Sequence, residues 1–257
     1  MPILPNSAAR YEMSASQYRL ALEPLLPEAA RVGFHLSAEA VHSAAQAAGI
    51  SPTNELFSDM RELYHELLRY AHTCVWPSAE DPAFEGLENK IPGDAVREFV
   101  DTTMERFQQH PDAVRLIVSE NMWNRADVSN SVGVLEDSPV VLLIDRLLMR
   151  GHDVGAFRTD VSAEDVFVLV TALCGFPMTQ AHAFHALYGM DITDEQNSVG
   201  MKNMASDAVV AFLSTTLNTM QGASYTHSSL SPSMGASVAA SLYSSEDFDT
   251  VEEFNQP

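Results

Sequence analysis

Few side chains in this chain have types and spacings suited to chemistry. His182 and His185 lie three apart in one helical stretch, near enough to share a ligand. Asp191 or His152 would complete a metal set. Pairs at this spacing are common, and ordinary polar roles beside a pocket or interface account for them, so no metal and no cofactor is expected. The two cysteines, Cys74 and Cys174, form neither a disulfide framework nor a metal motif and read as free thiols of a reducing cytoplasm. There is no Ser-His-Asp order with an elbow, no Gly-rich phosphate loop and no zinc-protease motif, so the residues name no catalytic group and no enzyme. A second set is made of greasy, adaptable side chains. Phe99, Met104, Phe107, Met122 and Trp123 line either a core or an apolar pocket, and Cys174 and Met178 flank Pro177, which should kink its helix and open space.

The elements that must position these groups are helices. The central stretch runs from Gly151 to Gly189. A turn from Gly151 to Gly155 precedes Ser162 and Asp165, which have the spacing of a capping box. Val166, Phe167, Val168, Leu169, Val170, Leu173, Cys174 and Phe176 come next, apolar on nearly every side. Such a helix must be covered all round, by its own domain and by a second subunit. A second amphipathic helix lies beyond it, opened by Thr193 and Gln196, with Met201, Met204, Ala205, Ala208, Val209, Phe212 and Leu213 on one face. Upstream, Asp94–Gln109 carries Val96, Phe99, Val100, Thr103, Met104 and Phe107 on one face. His110-Pro111-Asp112 restarts the chain into a helix from Ala113 to Asn124, and Pro139 begins another from Val140 to Met149. No alternating strand pattern and no internal repeat appears, so the fold class is all-α.

The N-terminal third of the chain has the outline of a helix-turn-helix. A helix from Gln17 to Val32, interrupted by Pro24 and Pro27, ends at Gly33. Ser37 caps a second helix, Ala38–Ala48, and Ser51-Pro52 starts a short third one. Asp59 with Glu62 opens a fourth through about Thr73. The chain thus divides into a loose arm (1–16), a head (17–74), a linker rich in Pro and Gly (75–92), a helical body (93–221) and a Ser-rich acidic tail (222–257) without Lys or Arg, expected to be disordered.

Charge limits the partners. The net charge is -21 although only 19% of residues are charged, because Lys and Arg number 14. Such a surface repels nucleic acid unless a local basic patch compensates. No run approaches the ~20 apolar residues that span a bilayer, and the N-terminus lacks the order of a signal peptide.

Gly33-Phe34-His35, Ala47-Ala48-Gly49-Ile50-Ser51 and Phe57-Ser58-Asp59-Met60-Arg61-Glu62-Leu63 resemble the head signatures of the tetracycline-repressor (TetR) family of bacterial regulators. His110-Pro111-Asp112 and Gly155-Ala156-Phe157-Arg158-Thr159-Asp160-Val161 are similar to phrases of its C-terminal domains. The resemblance spans roughly residues 17–220. It implies a cytoplasmic homodimer in which the last two helices of each subunit form a four-helix interface, here with Phe167, Val170, Met204, Val209 and Phe212. It implies a small apolar effector in the body, beside Phe99, Met104, Phe107, Met122, Trp123, Cys174, Met178 and His182. It also implies DNA reading by the head, where His42, Ser51, Thr53 and Asn54 remain as candidate contacts. The head departs from the family in charge. Between Arg31 and Arg61 there is no Lys or Arg, and Met60 stands where the family usually carries Lys. A binding module of the same fold that has lost DNA is the alternative.

Overall fold

The computed structural model describes residues 22–47, 60–77, 81, 84, 86, 89–125, 140–215 and 225. The arm, the third helix of the head and, apart from Tyr225, the acidic tail lie outside these described residues. Among the described residues every regular element is helical.

The head opens with a 3-10 turn, Glu23–Leu25, leading into α1 (Leu26–Val32), with Pro27 in its first turn, where a missing N–H costs nothing. Gly33, at φ 59, ends it in a conformation that side chains resist. In α2 (Ala38–Ala47) the Ser37 hydroxyl caps as the sequence predicts, accepting from the Ala40 N–H at 3.1 Å. α3 (Met60–Val75) buries Leu63, Tyr64, Leu67, Leu68, Ala71 and Val75, a stripe at helical spacing that faces head and body alike.

The body comprises α4 (Pro92–Gln109), α5 (Pro111–Trp123), α6 (Val140–Asp153), α7 (Ala163–Tyr188) and α8 (Glu195–Ser214). α4 buries the whole predicted face, Val96 to Phe107. It packs against α6, α7 and above all α8, while α5 packs against α1 and α3. Head and body therefore share one continuous core, from Leu22 to Leu213.

Several local expectations need correction. The chain does not turn at Gly151: α6 continues to Asp153, and the turn is made by Gly155 at φ 68. Gly151 is a glycine because the Phe157 ring occupies the space of its missing Cβ. The cap of α8 is Asp194, whose carboxylate accepts from the Asn197 N–H at 2.7 Å; Thr193 instead donates its own N–H and hydroxyl to Asp191. The stretch after α3 is no mere linker, because Trp76 and Phe84 are buried in the core. α7 stays helical through the buried Pro177. By length and composition α7 is apolar enough to cross a membrane, although no uninterrupted apolar run announces it. Its buried side chains, Val166, Val170 and Cys174 among them, belong to the common core. The predicted capping box is present: the Asp165 N–H donates to Ser162 Oγ, and the Ser162 N–H to the Asp165 carboxylate at 3.1 Å.

Candidate functional site

The body couples to the head along α3, which is held at both ends. At its start, the Tyr64 hydroxyl donates to Glu120 Oε2 of α5 at 3.1 Å, with both side chains buried. Burial raises the Tyr64 phenol well above its ordinary range, and the Glu120 carboxylate raises it further. The Phe34 ring meets Tyr64 edge-on at 5.5 Å. Beside this contact lies a cavity of about 140 Å³, lined by Arg31, Gly33, Phe34, Tyr64, Glu120 and Trp123 among others. Arg125 sits over the Trp123 ring at 5.4 Å.

At the far end of α3, Trp76 stacks on Phe167 of α7 at 4.7 Å and meets Phe107 of α4 edge-on at 5.6 Å. Arg106 of α4 donates to the carbonyls of Thr73 and Trp76, at 3.4 and 3.3 Å, and pairs with Asp81. A guanidinium thus caps the end of α3, where carbonyls lack helical partners. His72, in the same last turn, is pushed down to about 4 by burial and is neutral near pH 7.

The eight residues predicted for an effector pocket divide between the core and the surface. Phe99, Met104, Phe107 and Cys174 are buried core side chains, with Met178 packed against that core. Met122 and Trp123 are exposed at the end of α5, and His182 is exposed on α7. Trp123 alone of the eight borders the cavity at the head. Burial pushes the Cys174 thiol up to about 12, with the Asp101 carboxylate adding to the rise, so it is inert as a nucleophile. Among the described residues no three His, Cys, Asp or Glu side chains are grouped to hold a metal. Of the DNA-contact candidates, His42 is exposed on α2, while Ser51, Thr53 and Asn54 lie outside the described residues.

Of the predicted interface set, Val170 and Val209 are fully buried within the chain. Phe167 and Phe212 are partly buried and packed on the protomer's own core. Met204 does face outward, 51% exposed, together with Val168, Phe176, Leu187, Tyr188, Met190 and Val199. These lie along α7, α8 and the turn between them. The chain therefore leaves several large apolar side chains exposed along the two last helices and the turn between them.

Residues 92–209 match a family model described as Tetracyclin repressor-like, C-terminal domain. Over these residues the body is similar to the C-terminal domain of TetR-type regulators. The match runs from the start of α4 into α8, across the body that carries these exposed side chains. A curated relative is the HTH-type transcriptional repressor NicS of Pseudomonas putida strain KT2440, 25% identical over 118 residues that cover 45% of this chain. The match spans about half the length of that relative, 55%. Among solved structures, an HlyIIR mutant protein with a segment replaced by a linker containing two thrombin sites is similar over 78% of this chain and 99% of its own. Its TM-score is 0.50 and its identity 16%, a likeness that shows the fold.

Sequence reasoning missed Tyr64, Glu120, Trp76 and Arg106. Tyr64 and Glu120 are 56 residues apart, and neither belongs to a recognisable motif. Trp76 had one available signal: a large aromatic side chain in a stretch read as a linker.

Proposed function

We propose that the protein is a ligand-responsive transcriptional regulator that works in the cytoplasm as a homodimer and binds DNA through its head. The observation that carries this reading is the TetR-like body joined, through one continuous core, to a head whose sequence has the outline of a helix-turn-helix. The exposed apolar side chains on α7 and α8 support pairing of two chains by a two-fold axis. A small apolar effector held in the body shifts the dimer between DNA-competent and DNA-incompetent populations, by moving the groups that grip α3. No catalytic role is assigned.

A second reading, a ligand- or protein-binding module of this fold without DNA affinity, is favoured by one observation: no Lys or Arg lies between Arg31 and Arg61, in a chain of net charge -21. Phosphate neutralisation supplies most non-specific affinity, and the head has little to offer. His42, Ser51, Thr53 and Asn54 are then the remaining polar contacts to bases. Gel shift at graded salt, on DNA flanking the protein's own gene, separates the two. The first reading expects a complex that weakens as salt rises; no complex at the lowest salt leaves the second. Mass spectrometry of small molecules co-purified with the protein tests the effector.

A further inference from the structure

Beyond α8, Tyr225 lies back against the body where the start of α7 meets the last turn of α8. Its N–H donates to the Asp165 carboxylate at 3.2 Å, and its hydroxyl accepts from Arg158 Nη2 at 3.1 Å. The Arg158 guanidinium sits over two rings, 4.9 Å from the centre of Phe212 and 5.6 Å from that of Tyr225, and the rings are 5.8 Å apart. Arg158 is itself tied to the last turn of α8, its N–H donating to the Leu213 carbonyl at 2.9 Å, and its Nε donates to Asp160 at 2.7 Å.

The Arg158 side chain is only 6% exposed, and its Nη1 is buried without a partner. A guanidinium so placed needs acceptors for its five donors and a favourable face for its charge. Tyr225 supplies one acceptor and one of the two π faces, so the niche is incomplete without it. Asp165 likewise serves twice, closing the cap of α7 and accepting from the Tyr225 backbone. The contacts combine a backbone hydrogen bond, a side-chain hydrogen bond and a tilted ring contact, which suits a peptide segment presenting a tyrosine. The segment C-terminal to it, 226–257, has no Lys or Arg and carries Glu246, Asp247, Asp249, Glu252 and Glu253 near its end.

We propose that Arg158, Asp165 and Phe212 form a docking niche for the chain's own C-terminal extension, anchored by Tyr225, so that the acidic segment 226–257 departs from the place where the start of α7 meets the end of α8. The proposal is independent of what the head binds.

Hydrogen exchange on the full-length protein, read over residues 156–166 and 207–214, tests this, with proteinase K cleavage within 216–224 as a second readout. Tyr225→Ala should speed exchange in both windows and cleavage by about fivefold or more, since local opening sets both rates. Tyr225→Phe keeps the ring but loses the hydroxyl, and should fall between, at about two- to threefold. Tyr243→Ala, a change within the same acidic segment, should leave the rates alone. Unchanged rates in Tyr225→Ala, or equal acceleration by Tyr243→Ala, would overturn the proposal.

Discussion

The Tyr64 hydroxyl of α3 donates to the Glu120 carboxylate of α5, 3.1 Å away, and both side chains are shut off from solvent. This bond ties the helix that leaves the head to the helix the head rests on. Tyr64→Phe keeps the ring against Phe34 and removes only the donor, so the buried carboxylate loses a partner. Hydrogen bonds to charged groups contribute roughly 1.5–3 kcal/mol. A loss of that order is expected in urea unfolding, as a lower midpoint with an unchanged slope. An unchanged midpoint would mean that water replaces the phenol without cost.

Gly151→Ala tests the close approach inside α6. Helix propensity alone favours alanine by ~1 kcal/mol. The new methyl group would instead meet the Phe157 ring, and overpacking of this kind costs about 1–3 kcal/mol. Net destabilisation is expected, recovered in part by Phe157→Leu in the same chain. Stabilisation by the single change would show that the ring moves aside freely.

Two sets of side chains on α7 and α8 should respond oppositely to substitution. Val168→Asp and Met204→Lys alter exposed positions and should leave the protomer folded while weakening self-association by ~30-fold or more, the scale of a central contact worth 2 kcal/mol. Val170→Ala and Val209→Ala remove fully buried side chains and should lower stability by about 1–3 kcal/mol through the cavity left behind. Sedimentation equilibrium with circular dichroism separates the effects. Dimers unaffected by Val168→Asp and Met204→Lys would place the interface elsewhere.

Stability should fall with acid in a window set by His72. Its imidazole is pushed down to about 4 in the folded chain by burial, against 6.5 ordinarily. Between these values the unfolded chain binds a proton that the folded one refuses. The contribution is therefore whole above pH 6.5 and is lost as pH falls toward 4. His72→Gln should flatten this portion of the profile, measured as urea midpoints at pH 7.5 and pH 5. An equally steep fall in the variant would assign the acid sensitivity to other groups.

Caps and periodic faces were readable in the chain because they are local. Ser162 with Asp165, the Ser37 cap and the stripe from Val96 to Phe107 depend on neighbours within a turn or two, and the structure has them as the spacing predicts. The orientation of α7 was not readable. A helix apolar on most sides carries no directional pattern, so Val168 and Val170 look alike in sequence although one is 56% exposed and the other buried. Trp76 was hidden by its prolines, and Gly151 looked like a turn because the ring that needs its space comes six positions later. The candidate pocket residues divide for a related reason: Phe99 and Met122 are both greasy, and only tertiary packing sends one inward and the other out.

The grip of Arg106 on Thr73, Trp76 and Asp81 fixes a pivot for the head. α3 runs 16 residues from Met60 to this point, a lever arm of about 24 Å. A tilt of about 10° at the pivot therefore swings the Met60 end by roughly 4 Å over that length. In a pair of such chains the two swings add or cancel, so a displacement too small to notice beside Trp76 becomes a change in stride between the heads.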